Sequence, residues 1–172
     1  MFLRVVLATL SMGVLGVAAS VNAAAQPGEN GPVAADPASY ASIGMFGDPG
    51  YFFRSPTAGI VCGMLLFPDA ERNVAVNCYA PNALPLAAQH VGCEAAPDGR
   101  WGLGVGPDGA RETCESGSHR WANRFTAATE LPYDTSLAVN GYICTSARTG
   151  VTCTHDATGH GFEIARETKR LF

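Results

Sequence analysis

The stretch that decides the fold is Gly141-Tyr-Ile-Cys-Thr-Ser-Ala-Arg-Thr-Gly-Val-Thr-Cys-Thr154. Two β-prone runs, residues 142–146 and 151–155, flank a turn at residues 147–150, which is the pattern of a β-hairpin. Mirroring the two runs about the turn places Cys144 directly opposite Cys153. Because cross-strand partners bring their β-carbons to about 4.5–5.5 Å, the sequence predicts a disulfide across this hairpin.

A second stretch repeats this arrangement earlier in the chain. Residues 60–67 and 74–79 are apolar runs of strand length, and the polar residues 68–73 link them. Mirroring about that loop places Cys62 across from Cys78. The sequence therefore predicts a second hairpin closed by a disulfide.

The N-terminus has the pattern of a secretory signal peptide. Arg4 gives a positive start, residues 5–21 are apolar, and small residues up to Ala25 precede Gln26-Pro27. We predict a signal peptide over residues 1–25, and a cut after Ala23 fits nearly as well. A retained anchor is the alternative, but the apolar run is at the lower limit of a membrane span. We therefore expect no stable membrane anchor after cleavage.

All the cysteines lie in the exported part of the chain, and their number is even. Such a set behind an export signal predicts disulfides, although many connectivities are open. Pairing of sequence neighbours, which closes three local loops, is the interpretation we favour. Each loop would contribute about 3 kcal/mol by reducing the entropy of the unfolded chain. The predicted pairs are Cys62 with Cys78, Cys93 with Cys114, and Cys144 with Cys153.

Charge and composition limit the partners and divide the chain. The chain has 11 basic and 15 acidic residues. The basic residues are scattered, which argues against a nucleic-acid partner. Residues 26–48 are rich in Pro, Gly, Ala and acidic side chains and predict a flexible arm, whose part 40–46 can dock on the domain. Residues 49–172 are expected to form one disulfide-rich β domain.

The remaining pattern predicts short strands separated by Gly and Pro turns. Residues 51–59 read as a strand that ends at a Ser-Pro turn, and residues 99–105 as a strand before the turn at 106–109. In the last strand, Phe162 and Ile164 should face the core. The fold class predicted is mainly β: a small antiparallel sandwich or barrel stapled by disulfides, with at most one short helix. Residues 121–131 are the candidate helix, and a strand is almost as well supported there.

Four motifs occur in one order along the chain. They are Ser-Pro-Thr-Ala-Gly-Ile-Val-Cys62, Leu-Pro-Tyr133, Gly-Val-Thr-Cys153, and Gly-His-Gly-Phe162 followed by Arg166. With them the chain resembles a family of small exported actinobacterial domains without an assigned function. That family's pattern is Ser-Pro-Ser-Gly-Asn-Ile-x-Cys, Leu-Pro-Tyr-Gly, Gly-Val-Thr-Cys, Gly-His-Gly-Phe and a final Ser-Arg.

The resemblance extends over about residues 51–172, and the last third is its more specific part. This chain departs from the pattern at Thr57-Ala58, where the family has Ser-Gly, at Asp134 for Gly, and at Ala165 for Ser. The resemblance implies secretion and a disulfide-rich fold. It supplies no catalytic residues.

Candidate catalytic and metal-binding residues are few. His155, His160 and Glu163 are suitable zinc ligands, but their spacing fixes no geometry, and a packed or hydrogen-bonded His160 is the favoured interpretation. Ser116-Gly-Ser-His119 lacks the Gly-x-Ser-x-Gly turn of a nucleophile elbow and reads as a polar surface loop. We therefore predict no catalytic residue, no metal and no cofactor.

Trp101, Tyr133 and His160 form the candidate binding surface. Glycines on both sides of Trp101 would leave its ring exposed as a platform for a sugar or a protein partner. The competing interpretation, which we favour for this residue, places Trp101 and Trp121 in the core of a small domain.

These observations predict an exported, non-catalytic binding or interaction module of the cell envelope or exterior, with a protein or glycan ligand outside the cell. One alternative is an extracellular hydrolase with a His/Asp site around Asp134, Asp156 and His160. Another is an inhibitor of a secreted enzyme. A deep pocket joining His160 to a carboxylate would favour the hydrolase. A protruding loop without a pocket would favour the inhibitor, and an exposed patch at Trp101 or Tyr133 would favour the binding module.

Overall fold

The computed structural model describes residues 31–43, 49–69, 74–80, 100–115 and 128–172. In these residues the chain is mainly β, as predicted, and two sheets pack as an open sandwich rather than a closed barrel. The sole helix among them is a four-residue 3₁₀ turn, Pro37–Tyr40. The part of the chain described contains no helix with the length and apolarity needed to cross a membrane.

Strands account for most of the described residues, and the longest has nine residues. In chain order they are β1 (Val33–Ala34), β2 (Ala41–Ile43), β3 (Pro49–Arg54), β4 (Val61–Asp69), β5 (Val74–Tyr79), β6 (Arg100–Gly106), β7 (Gly109–Glu115), β8 (Thr129–Glu130), β9 (Thr135–Val139), β10 (Tyr142–Ala147), β11 (Gly150–His155), β12 (Gly161–Ile164) and β13 (Lys169–Leu171).

The C-terminal sheet has the strand order β1-β9-β10-β11-β12-β13. Neighbouring strands within this sheet run antiparallel, except that β1 runs parallel to β9. The predicted hairpin is confirmed, with Cys144 directly opposite Cys153. Along β10, buried residues alternate with partly exposed ones, and in β12 Phe162 and Ile164 are buried as predicted, on either side of the partly exposed Glu163. This sheet therefore places one face on the core and the other in solvent.

The second sheet, which we call the N-terminal sheet, has the order β2-β3-β4-β5-β6-β7, with β8 parallel to β3. Cys62 lies directly opposite Cys78, and the register shifts between Met64 and Asp69. Every residue of β5 is buried. Because successive side chains of a strand point to opposite faces, both faces of this sheet are covered at β5.

The two disulfides lie at the centre of the sandwich. Cys62–Cys78 belongs to the N-terminal sheet and Cys144–Cys153 to the C-terminal sheet. Their four side chains are at most 1% exposed, and the Sγ atoms of Cys78 and Cys153 lie 3.8 Å apart. The sheets thus meet through sulfur as well as through aliphatic and aromatic side chains. The predicted third pair rests on Cys93 and the Cys114 side chain, which lie outside what the structure describes.

The described part of the predicted arm pairs with the domain. Residues 31–43 cross from one sheet to the other, since β1 pairs with β9 and β2 pairs with β3. Between these strands Tyr40 is buried, and its hydroxyl donates to the Glu130 carbonyl at 3.2 Å. Residues 31–43 have no apolar pattern of their own. They are held on the domain by backbone pairing at two sheet edges and by the buried ring of Tyr40. The predicted signal peptide, and most of the candidate helix at 121–131, lie outside the described residues.

Candidate ligand-binding cleft

A cleft of about 650 Å³ opens where strands of both sheets end. Four short segments surround it: the β3–β4 turn, the loop at Tyr133 before β9, the β10–β11 turn and the β12–β13 turn. Small-molecule sites have volumes of roughly 300–1,000 Å³, so this cleft is of ligand-binding size.

The β3–β4 turn is held by its own hydrogen bonds. The Ser55 backbone N–H donates to the Ile60 carbonyl at 2.9 Å, and the Ile60 N–H donates to Ser55 Oγ at 3.1 Å. The Ser55 hydroxyl keeps its own proton as a donor. Ala58 has a φ of +54°, in the left-handed region, at the position where the resembled pattern has Gly. The turn is therefore a closed loop that presents hydroxyl groups to the cleft.

Arg148 lies over the ring of Tyr133, with its guanidinium carbon 4.9 Å from the ring centroid. Tyr133 is half-buried and Arg148 is exposed. The next residue, Asp134, has a φ of +58°, and its N–H donates to the Ser146 carbonyl at 2.7 Å. This hydrogen bond ties the Tyr133 loop to β10, and the cation–π contact favours one position for the arginine.

Gly150 allows the β10–β11 turn to lie against the end of β12. Its φ is +142°, and a β-carbon there would collide with the Ile164 carbonyl oxygen and approach the Ala165 β-carbon to 3.1 Å. Only glycine fits this close approach at low cost. As a result Arg148 and Arg166 face the same cleft.

The cleft has a positive charge on a protein that is acidic overall. Its charged residues are Arg148, Arg166 and Glu167, all exposed. Among the described residues, no carboxylate oxygen lies within 4 Å of either guanidinium. Three basic residues elsewhere are paired: Arg54 with Glu130 at 3.6 Å, Lys169 with Glu112 at 2.7 Å and Arg170 with Glu163 at 2.6 Å. The two cleft arginines are thus available to an anionic ligand.

Of the candidate binding surface, Tyr133 lines the cleft and Trp101 does not. Trp101 is 3% exposed, its Nε1–H donates to Glu112 Oε2 at 3.0 Å, and the Lys169 ammonium lies 5.3 Å from its ring centroid. The interpretation of Trp101 as a core residue is therefore correct, and the exposed platform is not formed.

His160 is exposed in the β11–β12 turn, away from the cleft lining. His155 stacks on Tyr142 with ring centroids 4.6 Å apart, and its backbone N–H donates to the His160 carbonyl at 2.8 Å. The carboxylate of Glu163 accepts two hydrogen bonds from Arg170, which lower the pKa of Glu163. These three residues therefore do not form a common ligand set.

In the described part of the chain, one trio of potential ligand atoms lies close enough to hold a metal ion. It consists of the Sγ atoms of Cys62, Cys78 and Cys153, which lie within 4.8 Å of one another. All three sulfurs belong to disulfides, so they lack the thiolate that binds a metal.

The residues of the hydrolase alternative are divided between two ends of the sheet. The N–H of Asp134 bonds to Ser146, whereas the N–H of Asp156 bonds to Gly141. At ~3.3 Å per strand residue, these anchor points are about 17 Å apart. Asp134 thus stands near the cleft, and Asp156 and His160 stand at the far end of β10. Ser116 and His119 lie outside the described residues.

Sequence reasoning missed the two arginines of the cleft. The available signal was positional: Arg148 occupies the tip of a tight turn, and Arg166 directly follows the last motif strand. Residues from three of the quoted motifs, ending at Cys62, Tyr133 and Cys153, line the cleft together with Arg166. Comparison of the chain with protein-family models, curated proteins and solved structures gives no match.

Proposed function

We propose that this protein is an exported, non-catalytic binding module that acts at the bacterial cell envelope or outside the cell, and that the cleft is its binding site. The observation that carries the proposal is the convergence of four turns from both sheets on one cleft whose two arginines, within the described structure, have no carboxylate partner. Loops positioned by a rigid β scaffold are a common place for binding residues.

Export is supported by the signal-peptide pattern and by the two buried disulfides. Disulfides persist in oxidising compartments and are rare in the cytosol. Because these two lie at the centre of the core, the fold itself is suited to a chain that matures after export. The resemblance to small exported domains points the same way.

Binding without catalysis is supported by the residues around the cleft. Its lining, as far as the structure describes it, contains neither His nor Cys. A hydrolytic serine needs a base within hydrogen-bond reach, and Ser55 Oγ instead accepts from the Ile60 N–H. Half-buried Tyr133 lines the cleft beneath Arg148, and aromatic side chains are common in ligand-binding sites.

The export test is expression of the full chain in an actinobacterial host. We expect a protein in the medium that starts near Gln26, measured by intact mass and N-terminal sequencing. Retention of the intact chain inside the cell would contradict export.

The binding test uses the fluorescently labelled mature protein and isolated actinobacterial cell walls. We expect the bound fraction to fall in the double variant Arg148→Gln with Arg166→Gln and to persist in the control Arg170→Gln, which changes a residue outside the cleft lining. Equal binding by all three proteins would contradict the assignment of the site. Release of soluble wall fragments by the wild type would contradict the non-catalytic assignment.

A further inference from the structure

We infer that the cleft binds a saccharide that carries a carboxylate group. This inference rests on the proposed function, because it names the ligand class of the same site. Three features carry it: the position of Arg148 over the Tyr133 ring, the net charge of the cleft, and the kind of side chains that line it.

Arg148 has the planar donor group that binds a carboxylate. Its guanidinium carbon lies 4.9 Å from the Tyr133 ring centroid, and no carboxylate among the described residues accepts from the edge formed by its N–H donors. That edge matches the two oxygens of a carboxylate in a bidentate pair. Arg166, on the adjacent turn, supplies a second cation to the same cleft.

The charge of the cleft fits a ligand with one negative charge. Two arginines and one glutamate give the lining a net charge of +1. A carboxylate neutralises this charge, whereas a phosphate dianion would leave an excess negative charge beside Glu167. Like charges close together disfavour binding, so the ligand is a carboxylate rather than a phosphate ester.

The other side chains of the cleft fit a sugar. Hydroxyl groups, each able to donate and accept, are contributed by Ser55, Thr57, Tyr133, Thr149 and Thr168. The apolar part comes from Ile60 and three alanines, whose small side chains suit the C–H face of a sugar ring. A peptide bound as an added strand would need a free strand edge, whereas turns line this cleft. The turn tips and hydroxyls here favour the saccharide.

The experiment titrates the isotope-labelled mature protein with D-glucuronate and follows amide shifts by NMR. D-Glucose is the neutral control, glucose 6-phosphate the dianionic control, and N-acetyl-alanyl-alanine the peptide carboxylate control. We expect glucuronate to shift amides of the cleft turns and to bind more tightly than the three controls.

Variants sharpen the assignment. Arg148→Gln and Arg166→Gln should each weaken glucuronate binding by about tenfold, since each removes a charge-assisted hydrogen bond. Glu167→Gln should strengthen it about two- to threefold by removing a like charge. Arg170→Gln, outside the cleft lining, should leave it unchanged. Because these side chains are exposed, the variants are expected to fold, and their amide spectra check this directly.

Several outcomes would overturn the inference. Equal binding of glucose and glucuronate would remove the need for the carboxylate, tighter binding of glucose 6-phosphate would assign a phosphate, and preference for the dipeptide would assign a peptide end. Absence of any amide shift with glucuronate up to its solubility limit would also overturn the inference. If cell walls still bind through Arg148 and Arg166 in any of these cases, the proposed function stands and only the ligand class is wrong.

Discussion

The two hairpins that carry disulfides differ in how many of their faces are covered. In the C-terminal sheet, β10 alternates buried and partly exposed residues, so one face contacts solvent. In the N-terminal sheet, all of β5 is buried. Both hairpins place their cysteines directly opposite each other. The shared feature is thus the local pairing, and the difference lies in what packs on the outside.

The outer face of β5 is polar although it is buried. Asn77 Nδ2 donates to the Tyr79 hydroxyl at 2.7 Å, and the Thr113 hydroxyl donates to Asn77 Oδ1 at 2.9 Å. The corresponding face of the C-terminal sheet carries threonines such as Thr152, which are partly exposed. Polar groups on the outer face of the N-terminal sheet therefore need each other, whereas the partly exposed threonines on the outer face of the C-terminal sheet have water as an alternative partner.

Removal of each disulfide is the strongest test of the shared feature. Replacing Cys62 and Cys78 by Ala should lower the free energy of unfolding by about 3 kcal/mol, and replacing Cys144 and Cys153 by about 2.5 kcal/mol, because the shorter loop restricts the unfolded chain less. The separations are 16 and 9 residues. Urea unfolding measures both values. A clearly larger loss for the Cys144–Cys153 pair would contradict this order.

Substitution of Gly150 tests the close packing of the C-terminal hairpin. Gly150→Ala should lower the free energy of unfolding by about 2–3 kcal/mol, since it combines an unfavourable φ with a collision against the Ile164 carbonyl. The matched control is Gly159→Ala, which has a φ of +71° but nothing within 4 Å of the added atom. It should cost only about 1 kcal/mol. Equal losses in thermal unfolding would show that the collision is absent.

The buried polar face of the N-terminal sheet is tested at Asn77. Asn77→Ala should lower the free energy of unfolding by about 2 kcal/mol, because it removes the acceptor of the buried Thr113 hydroxyl and a donor to Tyr79. Thr152→Ala, on the outer face of the other sheet, should change it by less than about 0.5 kcal/mol. Similar effects in urea unfolding at the two positions would mean that the two outer faces do not differ.

Two left-handed turn residues predict small gains in stability. Ala58→Gly should raise the free energy of unfolding by about 0.5 kcal/mol. The substitution removes the steric cost of an alanine in the left-handed region, but part of this gain is lost because glycine gives the unfolded chain more conformational freedom. Asp134→Gly should gain less, because aspartate tolerates this conformation better than alanine does. Differential scanning calorimetry ranks the two. A destabilised Ala58→Gly variant would mean that the turn adopts another conformation.

The smallest expected effect is on the pH dependence of stability. Burial, with a smaller contribution from Asp108, raises the pKa of Tyr142 above its ordinary value of 10.0. The neutral phenol is therefore favoured in the folded state, and its contribution is complete below pH 10.0 and is lost as the pH rises through the higher folded pKa. Tyr142→Phe should lose less stability than the wild type between pH 9 and about pH 11. Parallel alkaline profiles would contradict this.

The sequence predicted the local pairing well because hairpin register depends on nearby residues. Both cysteine pairs followed from mirror positions about a polar turn. The strand β7 was not predicted, since residues 109–115 carry no apolar alternation. They form a strand because they pair with β6. The pairing of residues 31–43 with both sheets was not predicted, because it joins backbone to strands that are remote in sequence and leaves no apolar pattern in the segment itself.

The cleft depends on non-local geometry, and the sequence identified only Tyr133 of its main residues. Arg148 and Arg166 resemble ordinary solvated charges until the two turns are placed side by side. Trp101 was a misleading candidate because its glycines serve packing rather than exposure. A β-carbon at Gly102 would lie 2.9 Å from the Tyr79 ring, so glycine there lets β5 and its side chains pack closely beside the tryptophan strand.

The most direct test of the central claim, that each sheet is closed by its own disulfide, is a peptide map of the unreduced protein, digested with trypsin and chymotrypsin after thiols are blocked. Cleavage after Arg72 separates Cys62 from Cys78, cleavage after Tyr79 separates Cys78 from Cys93, and cleavage after Arg148 separates Cys144 from Cys153, so each linkage joins two peptides. We predict a Cys62–Cys78 pair and a Cys144–Cys153 pair by mass spectrometry. A peptide pair that joins Cys78 to Cys153, whose sulfurs lie only 3.8 Å apart, would contradict the claim.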